Sequence, residues 1–268
     1  MIIKGTLTHM FRKAGILFWV DKVKFWIQYL KNYRDNLRFK ASAKNLALPP
    51  AYMMFESFNM NYQKYYEGGY KTAKWILETI KPYHNYEGNT ILDWGCGPAR
   101  ITRHLPQLCG PDSAIFGTDY NHNTIRWCKE NIRSVTFDTN DTIPPLIYPT
   151  HFFDFIIGIS IFTHLSEVNH TAWVNELSRV MKTGGVAFIT THGDIFRPLL
   201  TKKEKQVYDS NSIVVRGSVT EGHRIFTAFQ PPSWMKIIFS GSFEILYHQK
   251  GKKADWGREQ DFWILKKS

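Results

Sequence analysis

One short stretch constrains this chain more than any other: Thr90-Ile-Leu-Asp93-Trp-Gly95-Cys-Gly97, an apolar run that stops at a carboxylate and turns on two glycines. Ile91 and Leu92 suit a buried strand, and the glycines admit backbone angles that other residues resist. The residues after them, Ala99 to Leu108, are compatible with a helix. A strand, a bare-backbone turn and a helix N-terminus bring a ligand close to the main chain. A dinucleotide fingerprint spaces three glycines as G-x-G-x-x-G. Here Arg100 occupies the third slot, so that match fails and a nicotinamide oxidoreductase is disfavoured. A carboxylate two residues before the first glycine suits a ligand carrying a cationic group, such as an ammonium.

From Thr90 onward the pattern alternates strand and helix, as in a parallel sheet. Strands are expected at 90–94, 114–118, 134–137, Phe153–Ile159 and Val186–Thr191. Helices are expected at 99–108, 122–132 and 167–181, the last stopped by Gly184-Gly185. Upstream, Gly68-Gly69 precedes a helix over Tyr70–Ile80. The region 194–240 holds a charged stretch, a β-segment near 224–229 and a short helix opened by Pro231-Pro232. Runs at 243–249 and 260–266 close the sheet as a hairpin.

Charge is uneven. The net charge of +11 lies mainly in residues 1–50, where ten Lys/Arg face only Asp21 and Asp35. In that segment Ile16, Val20, Val23, Ile27, Leu30 and Leu37 recur at helical spacing, with lysines and arginines between them. Three readings of this basic amphipathic helix compete: a cap docked on the domain, a membrane-surface helix, or a dimer contact. The expected division is 1–50 as helical extension and 51–268 as the main domain, with 194–240 as an acceptor-side insertion. Residues 51–68, rich in Tyr, Phe, Met and Asn, are expected to pack over the ligand entrance. Cys96, Cys109 and Cys128 form no disulfide framework or zinc pattern. No apolar run approaches the roughly 18 residues of a membrane span. The expected location is the cytoplasm, with peripheral membrane contact through residues 1–45 as an option.

Asp119 ends the second strand, 26 residues after Asp93. A carboxylate there suits the hydroxyls of a ribose. With Phe153-Asp-Phe-Ile-Ile-Gly-Ile-Ser160 and the unit Trp173–Thr191, the chain over about 68–192 resembles the class I S-adenosylmethionine-dependent methyltransferases. The resemblance implies an α/β, Rossmann-like seven-stranded sheet with helices on both faces, here with an N-terminal helical extension. It implies S-adenosylmethionine as cofactor and S-adenosylhomocysteine as product. Asp93, Gly95 and Gly97 would hold the methionine part, Asp119 and Tyr120 the ribose, and Asn140 and Asp141 the adenine. Ser160, Phe162, Thr163 and His164 would lie near the methyl group.

An alcohol acceptor needs a base to take its proton, and His164 and His192 both follow strands at the ligand edge. Glu221 and His223 are further candidates for the acceptor pocket; no metal cluster stands out. The runs Ser160-Ile-Phe-Thr-His-Leu-Ser, Thr190-Thr-His-Gly and Gln260-Asp-Phe resemble bacterial methyltransferases of glycan pathways. The expected acceptor is therefore a sugar or other small hydroxylated molecule. RNA is the rival acceptor, disfavoured because strand four does not end in an Asn/Asp-Pro-Pro-aromatic element. A non-catalytic interaction module that keeps the fold is the rival class. Oligomer formation is left open.

Overall fold

The computed structural model describes residues 17–268, apart from Ser218 and Trp256. Its centre is a seven-stranded sheet in the order β3-β2-β1-β4-β5-β11-β8. The strands are β1 (Thr90–Trp94), β2 (Ala114–Asp119), β3 (Thr136–Thr139), β4 (Phe153–Gly158), β5 (Met181–Thr191), β8 (Glu244–Gln249) and β11 (Asp261–Lys266). The first five named are mutually parallel, while β11 runs antiparallel between β5 and β8. Two small ribbons complete the β-structure: β6 (Val214–Arg216) with β7 (Thr227–Phe229), and β9 (Lys253–Ala254) with β10 (Gly257–Arg258).

The period of two along the strands builds a core on each face. Leu92, Ile156, Ile189 and Trp263 point to one face, where α6 (Glu167–Val180) and α8 (Pro232–Ser240) bury Trp173, Leu177 and Phe239. Ile91, Ile157, Phe188 and Ile264 point to the other, against α3 (Tyr62–Ile80) and α5 (His122–Asn131). The chain order reverses between β1 and β4, and in open α/β sheets the crevice beyond the strand ends at such a reversal binds ligands.

Several boundaries differ from expectation. The helix before the sheet starts at Tyr62 and runs straight through Gly68-Gly69, because Asn61 caps it by accepting from the N–H of Lys64 at 2.9 Å. Gly69 is there for close approach: a Cβ on it would lie 2.1 Å from the carbonyl oxygen of Arg100. After the glycine turn the chain makes a 3-10 turn at Thr102–His104 and only a short α4 (Leu105–Cys109), with Pro106 in its first turn. The third strand is shifted to Thr136–Thr139. Strand β5 begins at Met181, directly after α6, and Gly184-Gly185 lie within it; Gly184 has φ +80°. The late region contributes α7 (Lys202–Asp209), held by a capping box between Thr201 and Glu204.

Upstream lie α1 (Leu17–Ser42) and α2 (Ala51–Ser57). One face of α1 docks on the domain: Phe25 meets Phe55 edge-on at 5.3 Å, and Asn36 accepts from the N–H of Tyr62. Residues 1–16, the start of the expected arm, lie outside the described residues. Among the described residues no helix is long and apolar enough to cross a membrane.

Candidate active site

Two cavities meet at the carboxyl ends of β1 and β4, sharing Ser57, Gly95, Gly97, Pro98, Ile159 and Ser160. The smaller, about 170 Å³, runs over the end of β2 and is lined by Asp119, Tyr120, Asn140, Asp141 and His164, with Arg224 above. The larger, about 780 Å³, lies toward β5 and β11 and is lined by Asp93, Arg100, His192, Phe196 and Gln260. Residues of α2 and the start of α3's approach, Met53, Glu56, Ser57 and Phe58, border these openings.

The turn itself is shaped by what surrounds it. Gly95 has φ +75°, and a Cβ there would lie 2.0 Å from Cδ1 of Ile161. Gly97 has φ +52°, and its N–H donates to Oδ2 of Asp119 at 3.0 Å. Oδ1 of Asp119 accepts from the N–H of Asn121 at 2.8 Å. Desolvation raises the Asp119 carboxyl above its ordinary range, and these two amide donors oppose the shift. Asp93 is buried at the end of β1 and accepts from the Thr102 hydroxyl at 2.5 Å. Burial pushes its carboxyl up to about 6; the Thr102 hydrogen bond and the Arg100 charge pull the other way. Tyr120 has its hydroxyl pushed up to about 12, by burial first and by the neighbouring Asp119 charge.

Asn140 donates from Nδ2 to the carbonyl of Asp141 at 2.6 Å. Its Oδ1 is buried and without a partner among the described residues. A buried acceptor left open in this way calls for a donor, such as an amino or hydroxyl group of a nucleoside. Together with the glycine cradle and the Asp119 carboxylate, it fits a nucleoside-bearing cofactor.

At the end of β4 the chain turns through Ser160 with φ +64°, uncommon for a residue with a side chain. A small network holds it there. The N–H of Ser160 donates to Oγ1 of Thr190 at 2.7 Å, Thr190 donates to Oε1 of Gln260 at 2.6 Å, and Nε2 of Gln260 donates to Oγ of Ser160 at 2.8 Å. Thr190 and Gln260 tie β5 and the start of β11 to the point where the two cavities join.

The two histidines are separated. His164 lines the smaller cavity and His192 the larger. Nδ1 of His164 lies 2.7 Å from the carbonyl of Phe226, and Nδ1 of His192 lies 2.8 Å from that of Ala228. A carbonyl only accepts, so in each ring Nδ1 carries the hydrogen and Nε2 the lone pair. Burial lowers both pKa values, that of His192 to about 4. Phe196 and Phe229 flank the His192 ring, with centroids at 4.1 and 5.3 Å.

Other expected residues are not in the cavities. Phe162 is fully buried, edge-on to Trp94 at 5.3 Å, and Thr163 is buried with its hydroxyl on the Ser160 carbonyl. Their alternation beyond the strand end is broken by the turn at Ser160. The Glu221 carboxylate accepts from the N–H of Ser166, and His223 faces Glu56 at 3.6 Å. Two residues at the site carry no sequence signal. Gln230, fully buried, accepts from the N–H of His192 and donates to the Phe162 carbonyl and to Nε2 of His170. Arg224 stacks its guanidinium over Phe55 at 3.9 Å and pairs with Asp21 of α1.

Residues 91–185 match the family described as a methyltransferase domain. A demethylmenaquinone methyltransferase of Listeria welshimeri is 26% identical over 118 residues, covering 42% of this chain and 49% of that protein. An uncharacterized chloroplastic methyltransferase of Arabidopsis thaliana is 31% identical over 111 residues, covering 39% of this chain and 31% of that protein. The chain thus spans about half or less of these curated relatives. Among solved structures, the magnesium protoporphyrin IX methyltransferase of Synechocystis, with bound S-adenosylhomocysteine, aligns with a TM-score of 0.53 at 14% identity. That alignment covers 89% of this chain and 98% of the other. A methyltransferase of Methanosarcina mazei aligns at 0.53 and 19% identity, over 70% and 96% of the two chains. The fold is that of class I methyltransferases. Residues 91–185, which match the methyltransferase-domain family, form the centre of that fold here.

Proposed function

We propose that this protein methylates a hydroxyl of a small acceptor, a sugar or another hydroxylated ring, held in the larger cavity, with His192 as the base. The observation that carries the reading is the tautomer of His192, whose Nδ1–H is committed to the Ala228 carbonyl, leaving Nε2 as a proton acceptor on the cavity wall. Aromatic faces of Phe58, Trp75 and Phe262 and polar groups of Gln249, Glu259 and Gln260 line the same space. That mixture suits a ring whose faces are apolar and whose rim bears hydroxyls.

Bound S-adenosylmethionine supplies a methyl group already activated on a sulfonium. The chain's own residues then align, exclude water and move one proton. Asp119, Asn140 and the glycine turn would hold the adenosine end, and Asp93 would pair with the ammonium. Gln230 fixes the backbone of His192, and Phe196 and Phe229 fix its ring plane. An imidazole held neutral by burial is a weak base in the resting site. It takes the hydroxyl proton onto Nε2 only as the acceptor oxygen gains positive character. His164 lines the smaller cavity, apart from the space assigned here to the acceptor, so this reading gives the base role to His192.

The test is transfer of labelled methyl from S-adenosylmethionine to a panel of hexoses, deoxyhexoses, phenols and a structured RNA, with the product identified by mass. His192→Ala is expected to lower kcat by about 100-fold or more with cofactor affinity unchanged, and His164→Ala to act mainly on cofactor affinity. Methylation confined to RNA, or a rate indifferent to His192→Ala, overturns the proposal. Cofactor binding without transfer to any acceptor favours the interaction module.

A further inference from the structure

Helix α1 is engaged on one side and bare on the other. Its inner face, with Asp21, Phe25, Asn32, Asn36 and Phe39, engages Arg224, Phe55, Asn61, Tyr62 and Tyr66. Its outer face presents Trp19, Val23, Trp26, Ile27, Leu30, Tyr33 and Leu37, linked by steps of three and four residues into one stripe along the helix. Trp19 and Leu30 are each 70% exposed, and Trp26 59%. Nothing among the described residues covers this stripe. A water-facing helix normally turns such a row inward; here the inward row is already filled by other residues.

The flanks of the stripe are cationic. At 100° per residue, Lys22 and Lys40 border one edge, and Arg34, Arg38, Lys31 and Lys24 lie along the other. All six are exposed. The helix has two acids: Asp21 is turned inward to Arg224, and exposed Asp35 lies 4.0 Å from Arg38. An apolar row with tryptophans, bordered by basic side chains whose stems are long enough to reach headgroups, is the pattern of a helix lying in a bilayer interface.

We propose that the outer face of α1 is a docking surface for an anionic lipid bilayer, with Trp19, Trp26 and Leu30 entering the acyl boundary and the flanking lysines and arginines meeting lipid phosphates. Charge decides against a second copy of this chain as the occupant. Two such stripes face to face would bring like-charged rims together, with one exposed acid per helix to offset them, whereas an anionic surface complements every flanking cation. The docked inner face makes the helix a rigid foot of the domain, so binding needs no folding of this segment.

The experiment is flotation of the full-length protein with phosphatidylcholine vesicles and with phosphatidylcholine–phosphatidylglycerol vesicles, paired with sedimentation of the protein alone. The expected result is at least about tenfold stronger partitioning onto the anionic vesicles, weakening as salt is raised, and a blue shift of tryptophan emission on binding. The double variant W26D/L30D, altered only at exposed positions, is expected to keep its melting temperature and lose binding. K31E/R34E is expected to lose the preference for anionic lipid. Absence of binding, equal binding to both vesicle types, or a dimer that L30D splits without any lipid binding would each overturn the proposal.

Discussion

The backbone amide of Gly97 donates to the carboxylate of Asp119 at 3.0 Å, joining the turn after β1 to the end of β2. One acid thereby shapes the cradle and keeps lone pairs that a ribose could use. Asp119→Ala is expected to weaken S-adenosylmethionine and S-adenosylhomocysteine binding by about 10- to 100-fold, the scale of a lost hydrogen bond to a charged group. Calorimetry checks it, and unchanged affinity removes Asp119 from the ribose-binding role.

Asp93 links affinity to pH. Its carboxyl, raised to about 6 by burial, is ionised above that pH and neutral below it. Affinity for the cationic end of the cofactor is therefore expected to fall as pH drops through about 6. Stability carries the opposite sign. The folded pKa lies above the ordinary 3.8, so the ionised carboxylate costs stability progressively between about pH 4 and 6 and fully above. Asp93→Asn is expected to stabilise the cofactor-free protein at pH 7 by on the order of 3 kcal/mol, seen as a higher melting temperature, while weakening cofactor binding. Thermal melts and titrations of the same variant separate the two effects; a lower melting temperature at pH 7 would sink the argument.

Gly69 reverses a general rule. Glycine to alanine inside a helix normally stabilises by about 1 kcal/mol. Here the new methyl would meet the Arg100 carbonyl at 2.1 Å, pushing α3 away from the glycine turn. Gly69→Ala is expected to destabilise by about 1–3 kcal/mol, the scale of overpacking. Gly68→Ala, with open space around its Cβ, is expected to be neutral or stabilising. Parallel denaturation curves decide it, and equal effects at the two sites would show that the approach is not tight.

Asp21 and Arg224 test the mounting of α1. Asp21→Ala leaves the Arg224 guanidinium, which stacks on Phe55 beside the cofactor cleft, without its carboxylate. Faster amide exchange confined to α1 and the 220–226 loop, and a few-fold loss of cofactor affinity, are expected in a protein that remains folded. Unchanged exchange in α1 would mean that the aromatic contacts alone hold it.

How much of this was legible in the chain depends on range. The strands β1, β2, β4 and β5, the terminal β8–β11 pair and the glycine turn follow from local apolar runs and turn chemistry, and the acids at positions 93 and 119 stand where those runs stop. Boundaries failed where a contact from far along the chain decided them. Gly68-Gly69 reads in sequence as preceding the helix, yet α3 starts at Tyr62 and includes both, with Gly69 set where the Arg100 carbonyl leaves no room for a side chain. Phe162 and Thr163 read as site residues by their place after β4, yet the left-handed turn at Ser160 sends them into the core.

The sequence by itself determined the α/β class, the order of the parallel strands' motifs and the placing of Asp93, Gly95, Gly97 and Asp119 at strand ends, because period-two burial and glycine turns are local properties. Only the tertiary structure decided which histidine faces which cavity, that Thr190 and Gln260 brace Ser160, that Gln230 holds the His192 backbone, and that α1 docks by one face and leaves the other bare. These pairings join residues 30 to 203 positions apart. Such contacts are selected by how the packed layers meet, which no local pattern encodes.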